Sequence, residues 1–182
     1  ALYANAEWAH PFIAAVRPHR GQIEAAQNIR TFLKGSKLVY GLEETKNRFM
    51  TGLAQPRYAL RSSPQWLSPQ LEDLLHADLQ LTTELNSTSD NPVVNSADGD
   101  IHCGANFQAA VVTSATEKVR LALQSIGKML FAQTGEMINS DYNNGLPPDL
   151  AADDPSLSFC LKGLDASSAA YMSELAFLAN PV

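Results

Sequence analysis

The segment Gln55-Pro56-Arg57-Tyr58-Ala59-Leu60-Arg61 sets a phenol and a guanidinium three residues apart, beside a side-chain amide. A guanidinium clamps a carboxylate through two parallel hydrogen bonds. A phenol, with an ordinary pKa of about 10, donates a proton or a hydrogen bond to a reacting group. Asn86-Ser87-Thr88-Ser89-Asp90-Asn91-Pro92 is a second cluster, dense in amide, hydroxyl and carboxylate groups. Such a run also serves as ordinary turn chemistry. A third cluster, Gly104-Ala105-Asn106-Phe107-Gln108, stands at the mouth of a predicted helix. Small residues approaching a helix N-terminus make an anion-friendly pocket. Equally, Gly104 and Ala105 permit tight packing and Phe107 suits a core. No single cluster decides between chemistry and scaffold.

The elements that must position these clusters read as helices. After an irregular first twenty residues, rich in proline and histidine, a helix is expected over 22–34, with Ile23, Ala26, Ile29 and Leu33 on one side and Gly35 as its stop. Residues 36–54 read as a mobile connection. From Pro64, the residues Leu67, Leu71, Leu74, Leu75, Leu79, Thr82 and Leu85 recur at helical spacing and predict an amphipathic helix to Leu85. The Asn86–Pro92 run breaks it, and Val93-Val94 with Ala97-Asp98-Gly99-Asp100 and Ile101 reads as a small β-hairpin. Residues 106–139 contain no proline and carry apolar residues on nearly every face, so a long helix buried in a bundle or an interface is expected. Asn143-Asn144-Gly145-Leu146-Pro147-Pro148 ends it, and a last helix is expected over 163–179. The fold class is all-α, a bundle of long helices joined by short loops.

Composition narrows the partners. Of the 182 residues, 45% are hydrophobic and 18% charged, with a net charge of -6, which suits a cytoplasmic protein with one sizeable core. No basic run interleaves with aromatics, so no nucleic-acid partner is expected. No stretch approaches the roughly 20 unbroken apolar residues of a membrane helix. Two cysteines and four scattered histidines argue against a disulfide framework or a metal cluster. The chain starts at Ala1-Leu2-Tyr3, without methionine or a signal-peptide pattern, and stops just after a helical pattern. Residues 1–182 are therefore expected to be a single internal piece of a longer chain.

Taken in order, the segments resemble the aromatic amino acid ammonia-lyase family. The resemblance is carried by Arg57 to Leu67, Glu84 to Pro92, Gly104 to Gln108, Ile126 to Gln133, Asn144-Gly145-Leu146-Pro147, Lys162-Gly163, Ser173-Glu174-Leu175 and Leu178 to Val182. Arg17-Pro18-His19 and Gly21-Gln22-Ile23 fit as well, so it spans almost the whole chain, and Asp154-Pro155-Ser156-Leu157 leans toward fungal-type members. The resemblance implies the superhelical core shared with fumarase- and aspartase-like enzymes, and homotetramers with active sites shared between subunits. It also implies a built-in electrophile, 4-methylideneimidazol-5-one, formed from an internal Ala-Ser-Gly. The implied reaction removes ammonia from an aromatic amino acid, phenylalanine favoured, to leave an arylacrylate.

Position by position, the resemblance makes Tyr58 the loop tyrosine that handles protons in a neighbouring subunit's site, and Arg61 the partner of the substrate carboxylate. Gln55 and Asn91 become polar residues around the electrophile, and Phe107 the aromatic residue packed beside it. Lys162 becomes a lysine near the substrate's carboxylate and amino end.

The sequence holds no Ala-Ser-Gly. Ala166-Ser167-Ser168-Ala169 is no substitute, because cyclisation needs an unhindered glycine nitrogen. The tripeptide is expected upstream, and these 182 residues alone are expected to be inactive and prone to association. Pro56 replaces the usual aspartate, and Ala105 a common glycine. Two other readings stand beside the lyase: an aminomutase of the same family, and a non-catalytic helical assembly module.

Overall fold

The structure, a computed structural model, describes residues 6–39, 55–154 and 156–181. The expected connection over 36–54 lies mostly outside them. The proline- and histidine-rich start is more regular than expected. A 3-10 turn over Glu7–Ala9 buries Trp8 and Ala9, and α1 spans Pro11–Ala15. The cause is local: His10 Nδ1 accepts from the Phe12 N–H at 3.1 Å and so caps α1. Pro11 occupies the first turn, where its missing N–H has no partner to lose. Proline here starts a helix.

Helix α2 spans Arg20–Leu33 and ends where Lys34 turns extended and Gly35 adopts a φ of 79°. Its buried face is Gly21, Gln22, Ala25 and Ala26, whereas Ile23 of the expected stripe is 41% exposed. Close backbone approach to α4 (Ser63–Leu85) selects the small residues. A Cβ at position 21 would run into the Ser68 carbonyl, and the Gly21 N–H reaches Glu72 Oε1 at 2.8 Å. In a free helix, Gly21→Ala would add about 1 kcal/mol of stability. Here the added methyl meets backbone that must move, a strain of about 1–3 kcal/mol. The strain wins: thermal unfolding of the full-length Gly21→Ala protein is expected to show a lowered melting temperature.

A single turn, α3 (Tyr58–Arg61), leads directly into α4, which carries Pro64 in its first turn and Pro69 inside. Helix α5 runs over Ala110–Ile138, antiparallel to α4. Three side-chain bonds fix that sense: Gln133 Nε2 to the Ala59 carbonyl, Trp66 Nε1 to the Ser125 carbonyl, and Lys118 Nζ to Gln80 Oε1. Helix α6 (Leu164–Leu178) packs on α5, with Gly127 admitting Leu175. The order through the layers is α2, α4, α5, α6. Between α4 and α5 lies the expected hairpin, β1 (Val93–Asn95) paired antiparallel with β2 (Asp100–His102).

One expectation about α5 needs correction. It starts at Ala110 rather than 106, because polar side chains hold the preceding residues as a loop. Gln108 Oε1 accepts from the Ala110 N–H at 2.7 Å, and Asn106 Nδ2 donates to the Thr88 carbonyl. Within this chain its apolar faces are only partly covered. Its buried positions are Ala115, Ala122, Met129 and Ile138, while Leu121, Leu123 and Leu130 are exposed. Alanine lets helix axes approach closely and wins the inner seam. Likewise Ala77 is buried on α4 while Leu75, Leu79 and Leu85 of the expected stripe face outward.

Candidate active site

Tyr58 and Arg61 occupy the first and last positions of α3, with the Arg61 guanidinium 5.4 Å from the centre of the exposed Tyr58 ring. A cation at that distance over a phenol face is favourable. It also brings the two functional groups to one surface. The turn beneath them is held from below. Arg57 donates to the carbonyls of Tyr142 at 3.0 Å and Asp141 at 3.3 Å, and its guanidinium lies 4.7 Å from the Tyr142 ring centre. Gln133 Nε2 bonds the Ala59 carbonyl and Ser63 Oγ, both at 3.0 Å. Gln55 sits on an exposed bend just before this turn, and Pro56 beside it is buried.

The other candidates from the loops gather elsewhere. Asn91 Oδ1 accepts from the Gly104 N–H at 2.7 Å and fastens the Asn86–Pro92 run to the Gly104–Gln108 run. The bond between Asn106 and Thr88 adds a second tie. Phe107 is carried on this double loop with its ring 64% exposed, so it is no part of this chain's own core. Beside it, Asp98, Asp100 and His102 cluster on the hairpin. Both Asp98 oxygens already serve the turn, accepting from Asn95 Nδ2 and the Asp100 N–H.

Helix α4 separates the two groups. Its 23 residues span about 34 Å, with Tyr58 and Arg61 before its start and Asn91 beyond its end. The antiparallel α5 leads back to the Tyr58 end. There, past its C-terminus, the Leu161 N–H bonds the Asp149 carbonyl and Lys162 Nζ lies 4.7 Å from the Phe159 ring centre. Lys162 thus falls on the α5 C-terminal side of the bundle and Asn91 with Phe107 on the other.

Glu136, near the end of α5, has no assigned role in the sequence reading, yet it meets the Tyr58 turn. Burial pushes its carboxyl above the ordinary value of 4.5, opposed by the Ala59 amide and the Arg57 guanidinium. A carboxyl raised in the folded state favours folding when protonated. That contribution is complete below the unfolded value and is lost as pH rises through the folded one. The melting temperature of the full-length protein is expected to fall across the window just above pH 4.5, and Glu136→Gln to remove that component. A signal for this residue was present in the sequence: Glu136 continues the seven-residue spacing of Ala115, Ala122 and Met129.

A long-helix bundle with a phenol–guanidinium pair at one end and an amide–aromatic double loop at the other defines a class. A family profile described as aromatic amino acid lyase matches residues 1–182, and the chain belongs to that family. It is 60% identical over 182 residues to a phenylalanine ammonia-lyase of Aspergillus hancockii, covering 100% of this chain and 25% of that protein. It is 59% identical over 182 residues to a phenylalanine aminomutase (L-beta-phenylalanine forming) of Talaromyces islandicus, with 100% and 26% covered. Among solved structures, a phenylalanine ammonia-lyase from the yeast Rhodosporidium toruloides superposes with a TM-score of 0.93 at 50% identity, covering 100% of this chain and 27% of that one. The chain spans about a quarter of the length of these relatives.

The family depends on a 4-methylideneimidazol-5-one group. The residues here fit a place beside it. Asn91 holds its loop through Oδ1, a bond that does not use its side-chain NH2, and the Phe107 ring is exposed.

Proposed function

We propose that the full-length protein removes ammonia from an aromatic L-amino acid, phenylalanine favoured, to give trans-cinnamate. The observation that carries this reading is the Tyr58–Arg61 pair on one turn, within a chain whose close relatives are named phenylalanine ammonia-lyases. Residues 1–182 act as one contiguous part of that protein's helical core. The protein works as a cytoplasmic homotetramer bound to no nucleic acid and no membrane. Its acidic composition supports the absence of a nucleic-acid partner, and no described helix is long and apolar enough to cross a membrane.

Arg61 holds the substrate carboxylate through its planar fork of donors. Lys162 adds positive charge near the carboxylate and amino end. The Tyr58 phenol oxygen handles the proton exchanged at the substrate during elimination. Asn91 and Gln55 hydrogen-bond around the prosthetic group and Phe107 packs beside it, while the Ala-Ser-Gly that forms the group lies in a segment preceding Ala1. When present, that group is the electrophile that makes ammonia a competent leaving group. Because Tyr58 and Asn91 stand about a helix length apart, one chain supplies them to different sites, and each site draws on neighbouring subunits.

The test is to incubate the full-length protein separately with phenylalanine, tyrosine and histidine and to identify products by mass and chromatography. Cinnamate plus free ammonia from phenylalanine is the expected result. A β-amino acid would replace the lyase with the second reading, an aminomutase, which the Talaromyces islandicus relative supports. No turnover of any of the three would leave the non-catalytic assembly module.

A further inference from the structure

The side chains that fix the Tyr58 turn come from α5, and one of them is out of keeping with its position. The inner seam of α5 advances every seven residues through Ala115, Ala122 and Met129, all buried. Seven residues are close to two helical turns, so these positions share one face. The next position on that face is Glu136. An apolar residue there would continue the packing, whereas a carboxylate must be desolvated. Its Oε2 is buried without a hydrogen-bond partner, and burial weakens its acidity. A group held at such expense calls for a reason.

The reason lies across the seam. Glu136 interacts with the Ala59 amide, while Gln133, one turn earlier on α5, donates to the Ala59 carbonyl. Both polar ends of the Ala59 backbone thereby face adjacent turns of one long helix. Ala59 is itself buried and immediately follows Tyr58, whose ring is exposed. The direction of an exposed ring is set by the backbone that carries it. We propose that Glu136 is a positioning residue for Tyr58: with Gln133 it grips Ala59 and so aims the neighbouring phenol.

This inference rests on the reading of Tyr58 as the proton-handling group. It is tested in the full-length protein by measuring kcat and KM for phenylalanine in the wild type, Glu136→Met, Tyr58→Phe and the double variant. Glu136→Met, which removes the acceptor, is expected to lower kcat by about 10- to 100-fold, the scale of a misplaced reacting group, with KM nearly unchanged. Glu136→Gln, which keeps an acceptor oxygen at the same reach, should recover part of that loss. In the Tyr58→Phe background, Glu136→Met should do almost nothing more, because no hydroxyl remains to be aimed. Equal losses in both backgrounds, or a loss confined to KM, would overturn the assignment while leaving the lyase reading intact. If Glu136→Met does not assemble, Gln133→Met removes the grip on the carbonyl and carries the same cycle. A folded wild type that releases no ammonia from any aromatic amino acid would sink the lyase reading, and this inference with it.

Discussion

Tyr58→Phe in the full-length protein is expected to lower kcat for phenylalanine by about 100- to 10,000-fold, the usual worth of a positioned proton-transfer group. The substitution is chosen for what it keeps. Phenylalanine retains the ring, and with it the face that meets the Arg61 guanidinium at 5.4 Å. The turn's other supports are untouched, since Gln133 and Arg57 bond backbone carbonyls. The loss therefore isolates one hydroxyl. KM should change little, because in the proposed mechanism Arg61 rather than Tyr58 binds the carboxylate. Arg61→Met should do the reverse in part, raising KM, since the fork of donors is removed. A Tyr58→Phe protein with kcat within about twofold of wild type would remove Tyr58 from the chemistry.

The second large effect concerns two variants together. Tyr58→Phe and Asn91→Ala are each expected to inactivate the full-length protein when expressed alone. Coexpressed, they should recover about a quarter of wild-type activity, since in a randomly mixed symmetric oligomer that share of sites takes an intact residue from each of two chains. The geometry behind this is the 23-residue α4, about 34 Å long, that holds the two residues apart within one chain. Activity of coexpressed, copurified variants against phenylalanine measures it directly. No recovery from tetramers shown to be mixed would mean that both residues serve one site from one chain. That would require α4 to be bent or broken in the assembly.

Helix positions were legible in the sequence where local chemistry alone decides them. The stop at Gly35, the break at Asn86–Pro92 and the hairpin after it follow from φ preferences and side-chain competition for backbone bonds. The buried faces were less legible. Leucine periodicity on α4 pointed to Leu75 and Leu79, yet the neighbouring helix meets Ala77, Ser68 and Pro64. Close approach between helices is a tertiary property that rewards small residues, and hydrophobicity patterns do not weigh it. The site residues divide in the same way. Tyr58, Arg61, Asn91 and Phe107 sit on loops and turns, where unusual polar groupings stand out. Glu136 and Gln133 are polar residues within a helix, and their roles become visible only once α3 is seen resting against them.

The α4–α5 pair also bears on how such a chain can vary over evolutionary time. Two antiparallel helices cross-linked at 66–125 and 80–118, with 59–133 tying the turn that precedes them, act as a ruler. One residue inserted into α4 would turn everything beyond it by about 100° and shift it by about 1.5 Å. The carbonyls and amides of those cross-links would then no longer meet. Length can change freely only where the ruler is not read, at the exposed tip around Ala97–Gly99 between β1 and β2. Insertions and deletions among natural relatives should therefore collect at that tip and spare the stretch from Tyr58 to Leu85. On this geometry the number of residues along α4 is constrained by the cross-links it has to reach.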